Sequence, residues 1–132
     1  MAQQITRVVC ALIQAGDKIL VARRALHKAN GGMWEFPGGK IDGDETASAA
    51  LSRELKEELG IEVTIDRTLT PVIHQYEHFS IELIPFVCSL KNGNPIPHEH
   101  DAIAWILPAE LSSIEFSSAD ISIAAEFLNM VT

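Results

Sequence analysis

Glu54, Glu57 and Glu58 stand three and four positions apart, the spacing that sets side chains on one side of a helix. Like charges so spaced repel by roughly 0.2–0.5 kcal/mol per pair. A helix that accepts this repulsion is either well solvated there or holds a cation. Carboxylate oxygens favour hard ions, so the cation expected is Mg²⁺ or Mn²⁺. For Glu57 and Glu58 alone, a solvated acidic face is the commoner outcome, and the choice turns on their surroundings.

Those surroundings read as loop–helix–loop. Phe36-Pro37-Gly38-Gly39 has turn chemistry, with glycines able to take positive φ. Thr46 is placed to cap a helix over residues 46–59, with Glu45 beside the positive end of its dipole. Ala47, Ala50, Leu51, Leu55 and Leu59 form an apolar stripe facing a core. Gly60 suits the position that stops the helix, and Ile61 begins an extended segment. The predicted helix is buried on one side and acidic on the other. Arg53 lies on its polar side, either as a surface arginine or as a partner for Glu45 where loop meets helix.

Gly39, Glu45, Arg53, Glu54, Leu55, Glu57, Glu58, Gly60 and Ile61 fit, without exception, the pattern Gly-x5-Glu-x7-Arg-Glu-U-x-Glu-Glu-x-Gly-U, with U aliphatic. The pattern resembles the Nudix box, the signature of the Nudix hydrolase family. Nine specified positions at fixed spacing make the signal specific. The resemblance extends beyond residues 39–61. Ala22-Arg23-Arg24-Ala25 and Glu35-Phe36-Pro37-Gly38-Gly39-Lys40 look like the MutT-type branch, which hydrolyses nucleoside triphosphates. His98-Glu99-His100, Ala104-Trp105 and Ser117-Ser118-Ala119-Asp120-Ile121 are similar to the CTP pyrophosphohydrolase-like members of that branch.

The family's chemistry is attack of water on a phosphoryl group, which needs metal ions to neutralise phosphate oxygens and acidify water. Carried over residue by residue, the resemblance implies the Gly39 carbonyl, Glu54, Glu57 and Glu58 as metal ligands. Glu54 is the leading candidate to orient or deprotonate the attacking water. Glu99, matching a carboxylate outside the box, is its rival as base and a further candidate ligand; the other reading is a solvated loop glutamate. The resemblance favours the Arg53–Glu45 pairing. Lys40 is a candidate phosphate contact. Arg23 and Arg24 alternate at a strand end, so only one can face a cleft, and Arg24 matches the nucleotide-contacting position. Trp34 and Phe36 are candidates to flank a base or to fill the core. Asp120 matches a position where an asparagine reads the base edge. An ionised aspartate is acceptor-only, so it suits two adjacent donors, as on 5-hydroxycytosine or 8-oxoadenine. The alternative is that Asp120 caps the last helix.

Composition bounds the rest. The 132 residues suggest a single domain over 1–132 with length enough for a core. Net charge is −8, from 18 acidic and 10 basic residues, which argues against a nucleic-acid polymer as partner. A divalent cation reconciles the acidity with a phosphate substrate. No apolar run approaches the ~20 residues of a membrane helix, and residues 1–7 lack signal-peptide character. Cys10 and Cys88 lie in apolar segments and read as buried thiols. His74, His78, His98 and His100 lack zinc-ligand spacing and read as loop or strand-end residues. Strands are expected over 7–13, 18–22, 61–65, 69–76, 81–90 and 102–106. A short helical turn is expected over 108–111 and a last helix over 119–130, with Ile121, Ala124, Phe127 and Leu128 on its apolar face.

This pattern suggests an α/β fold. The resemblance implies a Nudix-type α/β/α sandwich with a mixed sheet. The expected protein is a cytoplasmic, Mg²⁺- or Mn²⁺-dependent pyrophosphohydrolase, a monomer or homodimer. It would convert nucleoside triphosphates, CTP-like or oxidised, to monophosphate and pyrophosphate. Hydrolysis of 8-oxo-dGTP in nucleotide-pool sanitation and DNA repair is the nearest alternative. A non-catalytic Nudix-like nucleotide-binding module is the alternative of another class; such modules tend to lose box carboxylates, and all are kept here.

Overall fold

Val8 to Ile13 is apolar at every position, where a half-solvated strand would alternate. The strand is central and covered on both faces. In the computed structural model, which describes residues 5–131, it is β1 (Ile5–Ala15). The polar N-terminal stretch lies in part, at residues 1–4, outside the described residues. β1 pairs in parallel with β7 (Ser80–Asn92), and antiparallel with β2 (Lys18–Arg23) and β4 (Gly38–Lys40). β3 (Trp34–Glu35) and β8 (Ala102–Ile106) join β2, whereas β5 (Glu62–Thr68) and β6 (Val72–Gln75) join β7. Among the described residues these strands form one eight-stranded mixed sheet.

Alternation along β1 divides the core in two. Val9, Ala11 and Ile13 meet α1 (Ala47–Leu59) through Ala50, Leu51, Leu55 and Leu59. Cys10 and Leu12 face the other side, with Ile123, Ala124 and Phe127 of α2 (Ser118–Val131) and Leu111 of the 3₁₀ turn Pro108–Ser113. This is the α/β/α sandwich expected. Each fully buried aliphatic side chain contributes about 1.5–3 kcal/mol. Both cysteines are buried and free. No helix among the described residues is long and apolar enough to cross a membrane.

The caps of α1 are as read. The Thr46 hydroxyl accepts the Ala49 N–H at 3.1 Å, and Gly60 ends the helix in the left-handed region at φ 69°. Residues 36–39 differ from expectation. Gly38 and Gly39 are not at positive φ; they belong to β4, hydrogen-bonded along β1. Glycine is needed there for space. A Cβ on Gly38 would strike the Val9 carbonyl, and one on Gly39 would strike the Glu54 carboxylate. Two further expectations are corrected. The strand expected from 69 begins at Val72, with Leu69 buried just before it. Ile121 is 58% exposed rather than on the apolar face of α2, where Ala119 and Ile123 join the expected Ala124 and Phe127. The expected Ala124 and Phe127 are buried and Leu128 packs against the same cluster, so three of the four expected positions face the core.

Candidate functional site

β4 leads directly into the loop before α1, so Gly39 and Lys40 stand above the acidic side of that helix. Arg53 gathers this region. It donates to Glu45 through Nε at 2.7 Å and Nη2 at 2.9 Å, to Glu54 at 3.1 Å, to Glu57 at 3.2 Å and to the Lys40 carbonyl at 3.1 Å. The Arg53 guanidinium, with help from the Asp42 N–H, holds Glu45 down to about 2. Glu45 in turn raises the Arg53 pKa. Arg53 is therefore an ion-paired strut between loop and helix, not a free surface charge.

The three helix carboxylates are unequal. Glu57 is 60% exposed, Glu54 only 14%, and Glu58 is buried. Glu58 Oε2 has no hydrogen-bond partner. Burial, and then the neighbouring Glu54 carboxylate, push Glu58 up to about 9. Glu99 and Glu35 add smaller contributions of the same sign. Among the described residues, no three His, Cys, Asp or Glu side chains converge closely enough to enclose an ion as they stand. Arg53 occupies the space between Glu54 and Glu57 instead.

A cleft of about 560 Å³ opens over this corner. Gly39, Lys40 and Glu58 lie at one end. Val8, Val9 and Cys10 line it from the sheet, and Phe36, Ala119 and Asp120 from the α2 side. Arg24, Lys28, Asn30, Glu99 and His100 line it from two loops. Lys40 is exposed at its mouth. Arg24 lines the cleft, whereas Arg23 turns outward to pair with Asp101 at 2.9 Å, over the Trp34 ring. Phe36 is buried against Phe116, ring centroids 5.1 Å apart, while reaching the cleft; Trp34 does not line it. Glu99 is 57% exposed, 3.8 Å from Lys28.

Asp120 makes a bond that neither sequence reading anticipated. Its Oδ2 accepts the Phe36 N–H at 2.8 Å, tying the first turn of α2 to the segment between β3 and β4. Asp120 is 5% exposed and lines the cleft. Burial pushes its carboxyl up to about 7; the Phe36 N–H opposes that shift and Glu35 adds to it.

The sequence reading missed three further groups. His100 lies in a loop, as read, but its ring turns inward: it is 7% exposed, with Nε2 2.8 Å from Glu35 Oε2. Glu35 Oε1 accepts from Arg24 at 2.8 Å. Burial would raise Glu35, but the His100 and Arg24 bonds and charges outweigh it and hold the carboxyl below its ordinary range. Tyr76 and Phe79 also line the cleft, stacked at 5.0 Å across the β6–β7 hairpin. Aromatic residues flanking a tight turn were the one signal in the sequence, and it does not say which face they take.

Comparison with known proteins agrees with this architecture. The NUDIX domain model matches residues 8–126, and the chain belongs to the Nudix family. It is 35% identical to the CTP pyrophosphohydrolase of Escherichia coli K12 over 125 residues, covering 95% of this chain and 93% of that protein. An 8-oxo-dGTP diphosphatase of Haemophilus influenzae is 36% identical over 102 residues, covering 72% of this chain and 70% of the relative. The solution structure of the E. coli ORF135 protein superposes with a TM-score of 0.85 at 34% identity, covering 97% and 91% of the two chains.

Nudix hydrolases generally use a divalent metal ion, and the residues present fit one. Glu58 is a buried carboxyl with an unpartnered oxygen beside a second carboxylate. Oxygen donors of this kind suit a hard cation. The space above Glu54 is kept open by the missing side chain of Gly39.

Proposed function

We propose that residues 1–132 form a single Nudix domain that hydrolyses nucleoside triphosphates to monophosphate and pyrophosphate, with CTP-like or oxidised nucleotides as substrates. The observation that carries this reading is Glu58, buried, partnerless at Oε2 and pressed against Glu54 at one end of a nucleotide-sized cleft. In this reading the Gly39 carbonyl, Glu54, Glu57 and Glu58, with Glu99 from the facing loop, hold Mg²⁺ or Mn²⁺. When bound, such an ion neutralises phosphate oxygens and lowers the pKa of water.

The chain's own groups do the rest. Glu54, close under Gly39, orients the attacking water or takes its proton, with Glu99 as the second candidate base. Water adds its oxygen to one of the two phosphorus atoms of the α–β anhydride as that P–O bond breaks, its proton passing to the base and the leaving phosphate oxygen departing as an anion, so that monophosphate and pyrophosphate form. Lys40 at the mouth contacts the phosphates, and Arg53 keeps Glu54 and Glu57 in place. Arg24 and Phe36 bound the nucleoside end, where Asp120 reads the base. The retained carboxylates favour this over a non-catalytic binding module. Phosphate release from a panel of CTP, 5-hydroxy-dCTP, 8-oxo-dGTP and ADP-ribose, coupled to pyrophosphatase, tests the proposal. Turnover of none of the triphosphates, with nucleotide binding intact, would leave the binding module.

Glu57→Gln removes one ligand charge and little volume from an exposed position. Turnover should fall about tenfold to a hundredfold with the melting temperature unchanged. Unaltered turnover at both low and saturating Mg²⁺ would make Glu57 a solvated surface residue.

Asp120 predicts a pH-dependent base choice. Its carboxyl, raised to about 7, is protonated below that pH and ionised above it. The protonated form offers a donor and an acceptor, as an amide does; the ionised form only accepts. The kcat/KM ratio of 5-hydroxy-dCTP to 8-oxo-dGTP should therefore rise as pH increases through about 7. Asp120→Asn should flatten this profile and favour 8-oxo-dGTP by roughly tenfold, since a mispaired buried polar group costs about 1–3 kcal/mol. If both substrates fall together at every pH, the carboxylate serves only to tie α2 to Phe36.

A further inference from the structure

Residues 98–101 form a loop fixed to the body of the protein on both sides of Glu99. The His98 N–H donates to the Glu58 carbonyl at 3.1 Å, joining the loop to the C-terminal turn of α1. The Asp101 N–H donates to the Arg23 carbonyl at 2.9 Å, and the Asp101 side chain pairs with Arg23. Between these ties the His100 ring turns inward to Glu35. Glu99 points out over the cleft, close enough for its charge to be felt at Glu58.

The Glu35 end of the contact is itself held. Its other oxygen accepts from Arg24, whose Nε donates to the Ala29 carbonyl at 2.7 Å. An ionised carboxylate only accepts, so His100 Nε2–H is the donor. The other ring nitrogen, Nδ1, is buried with no partner. The ring thus leaves one polar atom unsatisfied in order to sit where it bonds Glu35. Lys28, at 3.8 Å, is the partner found for the Glu99 side chain, and both are partly exposed. Such a pair orders a side chain weakly; the backbone of the loop must supply the placement.

We propose that His100 is a positioning residue, whose bond to Glu35 locks the 98–101 loop so that Glu99 is presented beside Glu58. Glu35, with both oxygens engaged by the protein, is the anchor and not a reacting group. The inference rests on the role given to Glu99 in the proposed hydrolysis. It adds a function for the second histidine of His98-Glu99-His100, and for Glu35, which otherwise only lines the cleft.

Two variants test it. His100→Phe keeps a ring and loses the donor; His100→Gln keeps a donor. Amide hydrogen exchange at residues 98–101, measured without nucleotide or metal, should quicken in the Phe variant and recover in Gln, while α1 and the sheet are unchanged. In steady-state assays His100→Phe should lower kcat about tenfold or more, the usual cost of losing support around a site, with KM nearly unmoved and Gln largely restoring it. Glu99→Gln should also lower kcat, and the double variant should be no worse than Glu99→Gln alone, because residues acting as a unit are not additive. Losses that multiply, a KM effect without a kcat effect, full activity in Glu99→Gln, or unchanged exchange in His100→Phe would each overturn the proposal. Exchange is read without turnover. A chain that hydrolyses no nucleotide but shows the quickened loop ends the hydrolase reading and leaves the anchor standing.

Discussion

Stripping divalent cations should bring hydrolysis of every nucleotide in the panel to background, and Mg²⁺ or Mn²⁺ should restore it. The reason lies in the charge of the site. Glu58 and Glu99 line the cleft, Glu54 neighbours Glu58, and Glu57 shares Arg53 with Glu54, in a chain of net charge −8. Arg53 is already committed to Glu45, Glu54 and Glu57. Lys40, Arg24 and Lys28 are the other cations lining the cleft; Arg24 is bound to Glu35 and Lys28 pairs with Glu99. Without an ion, a polyanion meets mainly carboxylates. With one, the buried Glu58 gains the partner its Oε2 lacks. The same logic predicts a signal without turnover. An ion that binds the folded chain alone stabilises it by about 2.7 kcal/mol at a hundred times its Kd, so the melting temperature should climb with added Mn²⁺. Hydrolysis that survives exhaustive EDTA treatment defeats the proposed chemistry.

Gly39→Ala should lower kcat about a hundredfold or more while leaving the fold nearly as stable. The new methyl group would lie on the Glu54 carboxylate. That carboxylate is the far end of a flexible side chain, so it can swing away at small cost to stability. Its displacement is the damage, since a misplacement of about 1 Å at a reacting group can cost around a hundredfold. Gly38→Ala supplies the contrast. Its methyl group meets the Val9 carbonyl and the Cys10 Cα, main-chain atoms of a central strand that cannot move aside. That variant should lose about 3 kcal/mol or more of stability, at the upper end of overpacking penalties. Thermal melting and kcat measured on both variants check the pair. A Gly39→Ala enzyme of full activity would mean that Glu54 does not need the position it holds.

The carboxylate helix shows how far the sequence reaches. Its caps at Thr46 and Gly60, its apolar stripe from Ala50 to Leu59 and the Arg53–Glu45 pairing were all legible. Each depends on residues within about fifteen positions of one another, where helical geometry turns spacing into direction. The sandwich was legible at the level of class, because Val8 to Ile13 of β1 is apolar at every position and a strand covered on both faces accounts for that.

What only the tertiary structure decided depends on distant approach. Gly38 and Gly39 read as turn glycines, because an unconstrained Pro-Gly-Gly favours a turn; pairing of β4 with β1 made them glycines of close contact. The inequality of Glu57 and Glu58 follows from which side of α1 packs on the sheet: Glu58 is buried with Leu51 and Leu55, and Glu57 stays exposed. Asp120 and Phe36 are 84 positions apart, and His100 and Glu35 are 65 apart. No periodicity connects such pairs. They meet because β3 and β8 flank the same strand, β2, and because α2 packs beside the segment after β3. The sequence by itself determined which acids this protein carries and which face of one helix bears them. The packing of distant segments decided which of those acids lose water, and so which are left in need of a cation, a base or a neighbouring histidine.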